Sequence, residues 1–299
     1  MAVTLNFPTV EAEIIVETEQ MRRAANRILA VHPYALAVFH GQSGTGKTTT
    51  ARWTTGGINE HHRPDDPSTF RALHYEVAEI PAWSGQEQKR AIRSLYHAAI
   101  GRLDEGLYRQ LPGEDLARHL VHALARKSIR QIFVDEAGTL SLDALRGLVL
   151  VRDVAENLRE PLSFCFVGMD DLPLKLERLP QIKRRVHEWV YFEEYDLKET
   201  WKLLAKLHPH FASLDARNPD HWEQVEFVHQ TFGGVIGNFT PFLKKLSRRL
   251  RDYKGEIGLK HLMAVHDATN RDRERALESA RTQYRAAAPE TSGKGGDAA

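Results

Sequence analysis

Residues 34–49 read Tyr34-Ala35-Leu36-Ala37-Val38-Phe39-His40-Gly41-Gln42-Ser43-Gly44-Thr45-Gly46-Lys47-Thr48-Thr49. The run from Tyr34 to His40 is short, mostly apolar and follows Pro33, the pattern of a buried strand. It ends on a glycine loop, and the stretch from Gly41 to Thr48 fits G-x-x-x-x-G-K-[ST] at every required position. Glycines there let consecutive backbone N–H groups curl around phosphate, and the start of the following helix adds a positive dipole end. The bland alternative is an ordinary glycine turn between a strand and a helix. In the chemical reading, Gly41, Ser43, Gly44, Thr45, Gly46, Lys47, Thr48 and Thr49 hold a nucleotide. Lys47 reaches its β and γ phosphates, and the Thr48 hydroxyl ligates Mg2+.

Such a loop needs an acidic partner on a second strand that ends beside it. About ninety residues on, Ile132-Phe133-Val134-Asp135-Glu136-Ala137 supplies one. Asp135, at the strand end, is placed for the magnesium, and Glu136 for a water attacking the γ-phosphate. Adjacent Asp and Glu favour hydrolysis of ATP over simple retention, and no Asn-Lys-x-Asp element for guanine is present. Two acids in a solvated turn are the alternative.

Around these motifs the composition is ordinary, with 299 residues, 42% hydrophobic and 27% charged. That length suits a core domain plus a smaller one. No apolar run approaches the roughly 18 residues a bilayer requires, and residues 1–10 lack the pattern of an export signal, so a cytoplasmic protein is expected. A net charge of +1 does not announce a polyanion partner, so any nucleic-acid contact has to come from a local patch. The single cysteine, Cys165, sits in an apolar run and reads as a buried strand thiol.

Strand patterns fall at residues 34–40, 70–80, 131–134, 162–167 and 189–192, with helices expected at 19–30, 84–103, 114–127 and 141–158. Residues 54–68 read as a loop because of Gly56, Gly57, Pro64 and Pro67. From Asp196 the pattern is helical throughout, near 198–207, 221–231, 238–253 and 259–269. Alternating strands and helices followed by helices alone predict an α/β domain with a parallel sheet over residues 1–195 and a small all-helical lid over 196–270. A charged helix and a Gly/Ala-rich disordered tail occupy 271–299. The pairs His61-His62 and His208-Pro209-His210 lack the third ligand of a metal site and read as solvated. Trp83 and Trp201 read as packing residues.

The paired motifs, the Asp-Glu in the second of them and the helical lid together resemble an AAA+ ATPase. Within that class the chain resembles the TnsC/TniB/MuB group of regulators of DNA transposition. The supporting residues are the stretches from Val134 to Ala137, Val151 to Leu158, Phe166 to Leu172 and Gly234 to Asn238. The resemblance implies an ATPase that assembles as a ring or filament on duplex DNA without sequence preference and recruits a transposase, with a target-selector protein as a further partner. It also implies location on the nucleoid. The segment Gln181-Ile182-Lys183-Arg184-Arg185-Val186 looks like the supplier of an arginine finger to a neighbouring subunit, with Arg185 the first choice and a surface basic cluster the alternative. Met169 stands where relatives often carry a small polar sensor residue, with Asp170 a substitute. Thr240 stands where many lids carry arginine.

In the resembling family the region between the second strand and the acidic motif faces duplex DNA. Lys89, Arg90, Arg93 and Arg102 are therefore candidates for phosphate contacts, against a solvated helix face. The lid run Lys244, Lys245, Arg248, Arg249 and Arg251 reads as solvated or as a subunit contact. Two rival functions stay open: an AAA+ helicase loader or replication initiator, and a P-loop kinase, which would need an acceptor pocket and no trans-acting arginine.

Overall fold

In the computed structural model, the described residues are 16–31, 33–77, 86–101, 103–251, 253 and 255–287. They form two compact units. One runs through Tyr195 and takes in Val235–Gly237, and the other comprises Asp196–Gly234 and the chain from Asn238.

The first unit is built on five strands: β1 (Leu36–Gly41), β2 (Arg71–Glu76), β3 (Ile129–Asp135), β4 (Ser163–Val167) and β5 (Val186–Phe192). All pairings are parallel, in the order β2-β3-β4-β1-β5. Strand alternation sends Leu36, Val38, Ile132, Val134, Phe164 and Phe166 into one core, and Ala37, Phe39, Phe133, Cys165 and Val167 into another. The helices are α1 (Glu19–Ala30), α2 (Lys47–His61), α3 (Glu87–Ala99), α4 (Glu105–Gln110), α5 (Gly113–Arg126), α6 (Leu142–Leu158), α7 (Asp171–Glu177) and α8 (Pro180–Lys183). The first core takes residues of α3, α5 and α6, and the second takes Ala24 and Ile28 of α1 and Ala51 of α2. A sheet covered on both faces exposes its backbone only at the strand ends, so α2 and the polar turn after β3 leave the same edge.

Three local expectations change. Residues 54–61 are helical because α2 runs on through Gly56 and Gly57. The Asn59 side chain accepts from Ala72 N at 2.8 Å and donates to Ala72 O at 3.1 Å, docking the helix end onto β2. That tertiary docking outweighs the roughly 1 kcal/mol that each glycine costs in a helix. α3 ends at Ala99, short of Leu103, while the expected cap Ser84 and Trp83 lie outside the described residues. The close crossing of α3 and α6 needs Gly147, where a Cβ would fall 2.5 Å from Gln88 O. Helices α4, α7 and α8 are additional to those expected.

The second unit holds α9 (Leu197–Leu207), α10 (Pro209–Ala212), α11 (Pro219–Phe232), α12 (Ile236–Arg249), whose first two residues group with the first unit, and α13 (Leu259–Ala287). Asp196 opens α9 with a reciprocal capping box to Glu199. α13 is continuous through residue 270, where two separate helices were expected. Trp201 packs against Trp222, with ring centroids 4.4 Å apart. No helix among the described residues is long and apolar enough to cross a membrane.

His208 and His210 are buried, at 3% and 5% exposure, which corrects the solvated reading. His208 Nε2 meets Ser247 Oγ at 3.0 Å, and His210 Nε2 meets Gln224 Oε1 at 2.8 Å. Polar partners inside the helical unit satisfy both rings, which sequence spacing could not reveal. Burial pushes the His208 pKa down to about 4 and that of His210 down as well. A group whose folded pKa is depressed stabilises the fold fully above its unfolded pKa of about 6.5 and loses that contribution as pH falls toward 4. Melting followed by circular dichroism should therefore show the second unit weakening between pH 6.5 and 4.5, by up to about 3 kcal/mol from His208. A His208→Leu variant should start less stable and show a flatter dependence.

Candidate nucleotide-binding site

β1 delivers Gly41 to the sheet edge, and the chain enters α2 through Gly46, whose φ is +97°. No acidic residue occupies the first turn of α2, so nothing opposes its positive end. Thr45 is fully buried, and its hydroxyl donates to Gln42 O at 2.9 Å, closing the loop on itself. Ser43 and Thr49 are exposed on the outside. Lys47 is buried, its Nζ donating to Gly41 O at 2.9 Å and also to Gln42 O. Burial lowers its pKa, and the negative charges of Asp170, Glu136 and Asp135 act in the opposite direction.

The two motifs meet directly. Thr48 Oγ1 donates to Asp135 Oδ1 at 3.2 Å across 87 residues of sequence. β4 lies between β1 and β3 and sets that separation, with Val38 and Val134 both level with Phe166. Asp135 is 3% exposed, and its Oδ1 also accepts from Glu136 N at 3.0 Å. Its Oδ2 lies 3.1 Å from His74 Nε2, a partner from β2 that motif spacing did not reveal. Burial acts to raise the Asp135 pKa, but hydrogen bonds from His74, Thr48 and the Glu136 main chain outweigh it and hold the carboxyl below its ordinary value. Glu136 is exposed and takes a left-handed conformation, φ 56° and ψ 30°, at a cost of about 1 kcal/mol for a residue with a side chain. Strain of that kind clusters at working sites.

Asp170 stands beyond the end of β4, its Oδ1 3.9 Å from His40 Nδ1, and Met169 before it is half exposed. Of the two, Asp170 is the one whose charge reaches Lys47.

Val235–Gly237 dock on the loop from the other side of the sequence. Gly237 N donates to Gly44 O at 2.9 Å. A Cβ on Gly237 would fall 2.7 Å from Gly44 Cα, and one on Gly44, where φ is +82°, would fall 2.9 Å from Val235 Cγ1. Only paired glycines let the two backbones approach so closely. Because the peptide is trans, fixing the Gly44 carbonyl toward Gly237 turns the Thr45 N–H the opposite way.

Arg185 is elsewhere. It precedes β5, whose Val186 pairs with Leu36 and whose Phe192 pairs with Gly41, so it lies roughly 20 Å along the sheet from the loop. Its guanidinium is ion-paired with Asp153, Lys183 is paired with Glu177 at 2.9 Å, and Arg184 is exposed. On α3, Lys89 and Arg93 both lie over the Tyr108 ring, at 4.6 and 4.5 Å, and Arg93 is also ion-paired with Glu105. These contacts make two of the candidate phosphate ligands half-buried rather than freely solvated. Arg90 is half-buried, and Arg102 lies outside the described residues. In the other unit, Thr240 falls within α12 and Arg249 is paired with Asp272 at 3.1 Å.

Residues 32–176 match the family model described as AAA domain. The solved structure of the ORC2 protein of Aeropyrum pernix in ADPNP and ADP complexes superposes with a TM-score of 0.61 at 16% identity, covering 85% of this chain and 69% of that one. Domain III of the Thermotoga maritima replication initiation protein DnaA gives 0.54 at 16% identity, covering 84% and 92%. This is the AAA+ P-loop NTPase fold. A Staphylococcus aureus protein described as a potential ATP-binding protein is 27% identical over 206 residues, 63% of this chain and 71% of its own. The AAA domain and that relative support ATP as the nucleotide.

Replacing Gly237 by alanine should disturb the loop through the 2.7 Å approach, although alanine by itself favours helix in α12. Nucleotide affinity measured by calorimetry should fall about tenfold, equivalent to about 1.4 kcal/mol. Gly258→Ala, where an added Cβ meets nothing within 4 Å, should leave it unchanged.

Proposed function

We propose that this chain is an ATP-hydrolysing switch that assembles with copies of itself on duplex DNA and regulates transposition by marking target DNA for a transposase. The observation that carries the ATPase reading is the meeting of Thr48 and Asp135 at 3.2 Å with strained Glu136 next in the chain. The hydroxyl and an ionised, buried carboxylate form an oxygen donor set suited to Mg2+, with Thr48 and Asp135 the residues that would hold it. Bound there, the cation would neutralise charge on the β and γ phosphates. Lys47, now held by loop carbonyls, would exchange them for phosphate oxygens, and the backbone N–H groups from Gly41 to Thr49 would bind the rest of the anion. Glu136 would orient the attacking water and take its proton.

Assembly is supported by the position of Arg185. An arginine roughly 20 Å along the sheet from its own loop can serve a phosphoryl group only in another copy, so hydrolysis would report on neighbours. Arg185 would leave Asp153 to do so. DNA contacts are proposed for Lys89, Arg90, Arg93 and Arg102, summed over many copies to offset the net charge of +1. The step of transposition, its transposase and target selector, and a nucleoid-associated setting rest on the resemblance of the sequence motifs. The likeness of fold to initiator proteins fits the rival reading, a helicase loader or replication initiator.

Electron microscopy with duplex DNA and a slowly hydrolysed ATP analogue should show rings or filaments, and a protein that stays monomeric there would sink the assembly reading. Glu136→Gln should keep nucleotide affinity while slowing turnover by roughly 10²- to 10⁴-fold. Arg185→Ala should retain binding and lose about 10³-fold in turnover only under assembling conditions. Turnover unaffected by that change would point to a self-contained kinase.

A further inference from the structure

His74 lies on β2, where His74 pairs with Phe133 and Glu76 with Asp135. Phe133 and Asp135 are two residues apart on β3, so they share a face with His74, and a long side chain can span the diagonal to the next position. His74 does so: Nε2 is 3.1 Å from Asp135 Oδ2, with the two side chains 15% and 4% exposed. An ionised carboxylate only accepts hydrogen bonds, which assigns the proton to Nε2.

We propose that His74 is a positioning residue that fixes the Asp135 carboxylate for the divalent cation. The proposal rests on the placement of Mg2+ at Thr48 and Asp135 made above. With Oδ2 committed to His74 and Oδ1 already accepting from Glu136 N, the plane of the carboxylate is set from behind. The Thr48 side of Oδ1 is then the side that meets a cation. An aliphatic residue would fill the same space between β2 and β3. A donor there does more: it holds a carboxylate that is 3% exposed in one rotamer, and partners of this kind set the affinity of metal ligands.

The test compares wild type with His74→Ala, His74→Gln and His74→Phe, measuring affinity for a slowly hydrolysed ATP analogue by calorimetry in EDTA and across a Mg2+ titration. In EDTA, His74→Ala should bind within about twofold of wild type, while the Mg2+ needed for half-maximal tightening should rise about tenfold. Glutamine, whose amide reaches the position of Nε2 and restores a donor, should recover most of that loss, and phenylalanine, which restores volume without a donor, should not. Should the alanine variant melt below the assay temperature, the contrast between glutamine and phenylalanine carries the same test. An unchanged Mg2+ requirement in His74→Ala and His74→Phe would overturn the proposal. An equal fall in affinity with and without Mg2+ would also overturn it, by showing a packing role. If wild type itself binds the analogue equally with and without Mg2+, the underlying placement at Thr48 and Asp135 fails, whatever the variants do.

Discussion

A parallel sheet buried on both faces can offer polar chemistry only where its strands end. Here β1, β3 and β4 carry aromatic and aliphatic side chains into both cores, so a charged residue one position earlier on β3 would be sealed among Val38, Phe166 and their neighbours. The register of the three strands settles where the chemistry emerges. Val38, Phe166 and Val134 share one level, and Asp135 and the glycine loop come just beyond it. The bond between Thr48 and Asp135 is the closing contact of that geometry, and the rest of the site is arranged around it.

Two buried charges then have to be kept charged. Asp135 is held ionised by three donors from three places: the first turn of α2, its own next peptide and β2. Lys47 loses solvation, has loop carbonyls as acceptors and lies within the field of Asp170, Glu136 and Asp135. Each charge is tolerated because specific neighbours replace the water it gave up, and the same neighbours fix its direction.

How far the site could be read in the sequence follows from how each contact is encoded. The phosphate loop was legible because backbone curvature there demands glycine at set intervals, and the acidic motif because an apolar strand ending in Asp-Glu is a local pattern. The partner His74 was not legible: it is 61 residues from Asp135 and reaches it only through the pairing of His74 with Phe133, which no periodicity announces. The docking of Gly237 on Gly44 was hidden for the same reason, as two backbones in contact leave no side-chain signature beyond the glycines themselves. The fold class was fully legible, whereas helix ends were not. Gly56 and Gly57 suggest a loop, but the bonds from Asn59 to Ala72 carry α2 past them, and the spacing of His208 and His210 reads as solvated because nothing in it announces Ser247 and Gln224 as their buried partners.

The parallel sheet also bears on the proposed assembly. Every strand of such a sheet points the same way, so residues that precede strands collect at one edge and residues that follow them at the other. Lys47, Asp135, Glu136 and Asp170 belong to the edge that follows β1, β3 and β4, and it is rich in carboxylates. Arg185 precedes β5, and the opposite edge also holds Arg152, whose Nε donates to Tyr34 O just before β1. Arg185, which shares Asp153 with Arg152 at its own edge, and the carboxylate-rich edge are separated by the length of a strand and cannot meet within one copy, whereas two copies stacked head to tail would bring them together. A contact of that type joins different faces of the two copies, so it repeats into a closed ring or an open helix depending only on the rotation between neighbours.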